Sequence, residues 1–152
     1  YLRHCTYRVE YMVKNFDLEE ARRTIYDRPQ DLNLNEMYKV AGSYEKGTPE
    51  YAHAMAMAAR HYPHSPAVLN DLATEALASG DAAGAVRILE EAGERTDAAV
   101  RTDAELLNTL GVAYANDGQY DNARTVLEKS AALGNANAEH NLTQLLNVID
   151  QL

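Results

Sequence analysis

The first thirteen residues alternate between apolar and polar positions. Aromatic and β-branched side chains share one face of this segment, at Tyr1, Tyr7, Val9, Tyr11 and Val13, together with Cys5. A period of two with such residues is typical of a half-buried strand. No later segment repeats the alternation, so the chain offers no obvious partner strand. We therefore predict one β-strand in residues 1–14, which belongs to a preceding domain or linker or pairs with a second copy of the chain.

From residue 17 onward the apolar residues recur at helical spacing, and helix-start signals precede each run. Asp17 with Glu20 forms a capping-box pattern ahead of Leu18, Ala21 and Ile25. The remaining predicted starts are further caps or prolines suited to the first helical turn, at Asn33, Thr48-Pro49, Ser65-Pro66, Thr102 and Asn137. These signals predict an all-α fold after the single strand.

Two segments of the chain repeat each other at a constant offset of 38 residues. Leu69, Leu72, Gly80, Ala85 and Leu89 recur as Leu107, Leu110, Gly118, Ala123 and Leu127. Each unit reads as a helix, a turn containing glycine, and an antiparallel second helix. We expect Ala85 and Ala123 to mark the closest approach of each helical pair, with leucines filling the seam.

The second unit resembles the tetratricopeptide repeat (TPR) in the motifs Leu107-x2-Leu110-Gly111-x2-Tyr114 and Ala123-x3-Leu127. The resemblance implies a right-handed stack of antiparallel helical hairpins over residues 15–152. Clear repeats would occupy 66–134, degenerate repeats 17–65, and a capping helix 137–151. The offset of 38 exceeds the family's spacing of roughly 34 residues, and we expect the extra residues within 93–101.

A TPR-like stack has a concave face lined by the first helix of each pair, and this face is the candidate binding site. The partner-binding residues that the resemblance implies are Asn70, Thr74, Asn108, Val112 and Asn116. Some members of the family bind a terminal carboxylate there with Lys and Arg, whereas this chain has amides, hydroxyls and acids. A neutral, polar or basic protein segment is the expected partner. The alternative is a groove filled by a neighbouring helix, which makes the domain a structural spacer.

The N-terminal third shows a second resemblance, carried by Leu2–Phe16, by Asp17-Leu18-Glu19-Glu20-Ala21-Arg22 and by Leu34-Asn35-Glu36-Met37-Tyr38. These segments resemble the C-terminal region of bacterial cell-envelope proteins in which an OmpA-like domain precedes TPR-like helices. The resemblance implies a periplasmic or outer-membrane-associated location, with the cytoplasm as the alternative. It also explains the predicted strand as a junction with an upstream domain.

Composition narrows the classes of function. The chain has 23 acidic and 14 basic residues, a net charge of −9, which argues against binding to nucleic acid phosphates. No apolar run reaches the roughly 18 residues that a membrane span needs, so no direct membrane insertion is expected. The single cysteine excludes an intrachain disulfide, and Cys5 reads as a buried or interfacial thiol rather than a nucleophile.

The sequence contains no recognisable motif for catalysis or cofactor binding. His61 and His64 form the one close histidine pair, but Pro63 breaks the helix that would align them, so surface histidines are the better interpretation. Neither glycine-rich phosphate motif occurs. We therefore predict a non-enzymatic interaction module without cofactor or metal. A small helical enzyme or metal-binding domain is the competing class, which converging His and carboxylate side chains would favour.

Overall fold

The computed structural model describes residues 15–94 and 99–152. These residues form α-helices joined by turns, with one short 3-10 helix. The strand predicted for residues 1–14 lies outside the described residues, as does its suggested self-association, and both stay predictions. The chain divides into two compact units, Tyr1–Tyr62 and Pro63–Leu152.

The first unit contains α1 (Leu18–Asp27), the 3-10 helix Pro29–Asp31, α2 (Leu34–Gly42) and α3 (Pro49–His61). The predicted N-cap residues are present at the starts of α1 and α2. The Asp17 carboxylate accepts bonds from the backbone N–H groups of Glu19 and Glu20 in the first turn of α1. At α2 the capping box is complete, because Asn33 and Glu36 each accept the other's backbone N–H at 2.9 Å. These bonds satisfy donors that a helix N-terminus otherwise leaves unpaired.

The core of the first unit lies where the apolar stripes of its helices meet. Ile25 of α1 and Met37 of α2 are almost fully buried. The Tyr62 hydroxyl donates to the Leu32 carbonyl at 2.9 Å, which ties the end of α3 to the turn before α2. Tyr62 is the C-cap residue of α3 and directly precedes Pro63.

The second unit contains α4 (Pro66–Ala78), α5 (Ala82–Glu94), α6 (Ala99–Thr102), α7 (Ala104–Asn116), α8 (Tyr120–Ala132) and α9 (Ala136–Asp150). Adding 38 to the bounds of α4 and α5 gives the bounds of α7 and α8. The structure therefore confirms a helical repeat at the period that the sequence predicted. The short α6 lies largely in the stretch where we expected the extra residues.

Two predicted helix starts are wrong by one or two residues. Thr102 is the last residue of α6, and Asp103 caps α7 by accepting the Leu106 N–H at 3.0 Å. Likewise Asn135, not Asn137, caps α9, so the terminal helix begins at 136 and not at 137. Asp103 directly follows Thr102, whereas Asn135 lies two residues before Asn137, and both true caps have the extended backbone that a capping residue needs.

The two hairpins close with the same turn. Gly80 and Gly118 have φ of 84° and 80°, a left-handed conformation that favours glycine. The Asp81 N–H donates to the Ala76 carbonyl at 2.9 Å, and the equivalent bond in the second hairpin has the same length. This six-to-one hydrogen bond around a left-handed glycine is the Schellman motif. The turns thus satisfy the last carbonyls of α4 and α7 while reversing the chain.

The seam of each hairpin matches the expected packing. Ala85 and Ala123 are both 0% exposed, and Leu89 and Leu127 are buried beside them. The approach of α7 to α8 is so close that a Cβ on Gly111 would lie 2.5 Å from Cγ of Leu127. Small residues therefore set the interhelical distance in this hairpin, as the sequence predicted for Ala123.

Candidate functional site

The candidate site lies on one face of the second unit, which we call the first-helix face because it is formed by the first helix of each pair and by α9. It is defined by Asn70 and Thr74 of α4, Asn108, Thr109, Val112 and Asn116 of α7, and Asn141, Gln144 and Val148 of α9. All five residues predicted to bind a partner belong to this face. The structure places four of them in two groups with different surroundings and leaves Thr74 outside both.

The first group is engaged in hydrogen bonds between helices. The Thr109 hydroxyl of α7 donates to the Asn70 side-chain oxygen of α4 at 2.5 Å. At the preceding residue of α7, the Asn141 amide of α9 donates to the Asn108 side-chain oxygen at 2.9 Å. Asn108 and Thr109 are only 8% exposed. These amides and hydroxyls join α4 to α7 and α7 to α9.

A further polar link lies at the start of α7. The Asn135 amide, at the cap of α9, donates to the Glu105 carboxylate at 3.0 Å. Glu105 is exposed, so this bond contributes less than the half-buried ones nearer the middle of the helix. Together these three bonds follow the N-terminal half of α7 and couple each first helix to the next.

The second group opens onto a groove. Val112 and Asn116, on the C-terminal half of α7, face α9 across a cavity of about 340 Å³. We call it the α7/α9 groove, and its lining is Val112, Ala115, Asn116, Tyr120, Leu127, Asn141, Gln144, Leu145 and Val148. Leu127 and Leu145 are almost fully buried and form its floor. Thr74, the fifth predicted residue, is exposed on α4 and is not part of this lining.

None of the residues that line the α7/α9 groove is acidic or basic. Two other clefts of the described residues differ in this respect. A cleft of about 220 Å³ in the first unit has Asp17, Glu20, Arg28, Asp31 and Glu36 in its lining. A cleft of about 600 Å³ between α5, α7 and α8 includes Glu90, Glu94, Arg101 and Lys129. The α7/α9 groove thus offers apolar walls with amide and hydroxyl groups in a unit that is otherwise rich in charge.

Tyr114 anchors α7 from the side of α5. Its hydroxyl donates to the Glu90 carboxylate at 2.6 Å, and the side chain is 8% exposed. Burial, followed by the hydrogen bond to Glu90 and its negative charge, raises the pKa of Tyr114 well above the ordinary value. This tyrosine ends the Leu107-x2-Leu110-Gly111-x2-Tyr114 motif, and it is a packing residue whose hydroxyl has a hydrogen-bond partner.

The histidine pair considered in the sequence is at the surface. His61 ends α3 and His64 follows in the turn, and both are exposed. Across residues 15–94 and 99–152, no three His, Cys, Asp or Glu side chains are placed to hold a metal ion. In the same ranges no helix combines the length and hydropathy that crossing a bilayer requires. Cys5 lies outside them.

Sequence reasoning missed the contribution of α9 to the site. Asn141, Gln144 and Val148 were not among the predicted binding residues, although α9 was expected as a capping helix. A signal existed in the sequence, because Asn70, Asn108 and Asn141 follow one another at 38 and 33 residues. Aligning the repeats places one asparagine near the middle of each successive first helix, on the same face.

Comparison with known proteins adds no family to this geometry: no protein-family model matches the chain, and no curated protein matches it in sequence. The function is therefore argued from the first-helix face itself. The arrangement there can bind through apolar contact and uncharged hydrogen bonds.

Proposed function

We propose that residues 63–152 are a non-enzymatic helical module that binds a segment of a partner protein in the α7/α9 groove. The observation that carries the proposal is the groove of about 340 Å³ with its uncharged lining. It lies on the face where the TPR resemblance expects a partner. It also includes two of the predicted residues, Val112 and Asn116.

The chemistry of the groove suits a polypeptide segment. Its volume is at the lower end of the range of about 300–1,000 Å³ that is usual for ligand sites, which fits one or two side chains and a short length of backbone. The amides of Asn116 and Gln144 combine donors and an acceptor, as a peptide backbone requires. Apolar walls supply the burial that makes such contacts favourable.

The hydrogen bonds of Asn70 with Thr109 and of Asn108 with Asn141 favour a second candidate, the structural spacer. These bonds stabilise the unit without any partner. If the domain is a spacer, substitutions at the groove rim change neither the binding of a peptide nor the folding of the unit. The two candidates therefore differ in what a groove variant does.

Selection from a displayed library of random twelve-residue peptides on immobilised protein tests the proposal. Enriched peptides should bind the wild-type chain and lose at least about tenfold in affinity with Asn116→Arg, since the guanidinium obstructs an uncharged site. The control is Asn147→Arg, an exposed asparagine of α9 that does not line the groove. No enrichment, or equal binding to both variants, would leave the spacer as the better candidate.

We extend the proposal to a location in the bacterial envelope. Its support is the resemblance of Leu2–Phe16 and of the following segments to the envelope proteins with an OmpA-like domain. Fractionation of cells that produce the full-length protein tests it, with recovery in the periplasmic or outer-membrane fraction expected. Recovery in the cytoplasmic fraction would restrict the proposal to the interaction module.

A further inference from the structure

We infer that the partner segment places a large apolar side chain in the α7/α9 groove and carries basic residues on both sides of it. The inference rests on the proposed function and makes it more specific. It combines two observations on the second unit: the absence of charge in the groove lining and the strong negative charge of the unit around it.

The groove selects an uncharged side chain. Leu127 and Leu145 form its floor, and Val112 and Val148 add apolar walls. A charged side chain entering this space would lose water without gaining an ionic partner, which is costly. An aliphatic or aromatic side chain instead buries apolar surface there.

The rim of the groove can hold the backbone of the bound segment. In the part of the chain that the structure describes, no hydrogen bond involves the side-chain amide of Asn116 or the hydroxyl of Tyr120, although both residues line the groove. Asn141 donates one amide hydrogen to Asn108 and retains the rest of its amide. These groups lie beside the apolar floor of the groove. They can therefore bond the peptide groups on either side of a side chain that is buried there.

The net charge of the second unit favours basic flanks on the partner segment. Residues 63–152 contain five Lys and Arg against fourteen Asp and Glu, a net charge of −9, whereas residues 1–62 contain nine of each. The whole net charge of the protein therefore belongs to the unit that contains the groove. Such a field attracts cations and raises their association rate, and the attraction weakens with salt.

The same charge argues against a second copy of the chain as the occupant. Another copy would carry the same net charge of −9, and like charges oppose association. A basic segment with an apolar anchor satisfies both the groove and the field around it. We therefore commit to this chemistry for the partner.

A series of synthetic heptapeptides tests the inference by NMR titration of the isotope-labelled full chain. The series has the form Lys-Lys-Gly-X-Gly-Lys-Lys with Leu, Phe or Ser at X, and it includes Glu-Glu-Gly-Leu-Gly-Glu-Glu. The Leu and Phe peptides should bind at least about tenfold more tightly than the Ser peptide, because a buried apolar side chain supplies that much. The acidic peptide should bind more weakly than its basic counterpart, and this difference should shrink at high salt.

Two residues of α9 provide a matched pair of variants. Val148 and Leu146 are 44% and 36% exposed, but only Val148 lines the groove. Val148→Gln should remove most of the preference for Leu over Ser, to less than about threefold, while Leu146→Gln leaves it intact. Neither substitution changes charge or fills a buried site, so both variants are expected to fold.

Three results would overturn the inference: no detectable binding of the Leu and Phe peptides, equal binding at every X, or a preference that survives Val148→Gln. Each is distinguishable from failure of the proposed function. Displayed peptides that depend on Asn116 but lack an apolar anchor or basic flanks would keep the groove as a binding site and reject only the partner chemistry. An empty peptide selection would reject both.

Discussion

The two halves of α7 have similar side chains but lie in different environments. In the N-terminal half, Asn108 and Thr109 are nearly buried and bonded to α9 and α4. In the C-terminal half, Asn116 is exposed and borders the groove with Val112. The difference shows that an asparagine on this face is bonded between helices where a neighbouring helix reaches it and is left exposed at the groove where none does.

The largest expected effect comes from breaking the hairpin that supports both halves. Ala123 is fully buried where α8 meets α7, so Ala123→Leu should overpack the seam and lower the free energy of unfolding by about 1–3 kcal/mol or more. Chemical denaturation followed by circular dichroism measures this. Ala136→Leu, at an exposed position of α9, is the control and should change stability little. Equal tolerance of both would contradict the hairpin packing.

The comparison between the halves is tested directly by removing one asparagine from each. Asn108→Ala leaves the Asn141 amide without its acceptor in a half-buried place, at an expected cost of about 1–3 kcal/mol. Asn116→Ala should stay within about 0.5 kcal/mol of the wild type, because that side chain is exposed. Denaturation midpoints of the two variants should therefore separate clearly. Coincident midpoints would mean that the link on α7 does not contribute to folding.

A smaller effect is expected at Tyr114, which joins the C-terminal half of α7 to Glu90 of α5. Tyr114→Phe removes the hydrogen bond to Glu90 and keeps the packed ring, so a loss of about 0.5–1.5 kcal/mol is expected. Peptide binding in the groove should not change, since Tyr114 is absent from its lining. Weaker peptide binding in this variant would show that the two sides of α7 are coupled.

The pH dependence of stability provides the subtlest test. Because the fold raises the pKa of Tyr114, its stabilising contribution is fully present below the unfolded value of about 10 and is lost as the pH rises above it. The unfolded chain releases this proton first, which favours unfolding. Between pH about 9 and about 11, the wild type should lose more stability than Tyr114→Phe. Parallel curves for the two proteins would argue that Tyr114 titrates normally.

Much of the fold was predictable because it depends on local sequence. Examples are the 38-residue period, the capping box of Asn33 with Glu36, and the small residues Ala85 and Ala123. Each of these features meets a requirement of a helix end or of a contact between neighbouring helices. The starts of α7 and α9 were placed incorrectly for a local reason as well. Two residues one or two positions apart could each cap the helix, and helix ends read from sequence are uncertain by that much.

The site was less predictable because it depends on distances between helices. Periodicity places Asn70, Asn108 and Asn116 on one face, but it cannot show which amide meets a partner 33 or 39 residues away. The share of α9 in the groove was missed for the same reason. Charge was more informative, because the excess of acid in residues 63–152 can be counted directly from the sequence.

The turns at Gly80 and Gly118 have a consequence for how such a chain can vary in length. Each hairpin is closed by bonds within its own residues, whereas the additional residues of the 38-residue unit, including most of α6, lie between the hairpins. Insertions and deletions between hairpins therefore change the spacing of successive units without disturbing their closure. Over evolutionary time, a hairpin can be duplicated, lost or re-spaced as an inherited whole, and selection on the residues of the first-helix face can proceed independently of selection on the turns.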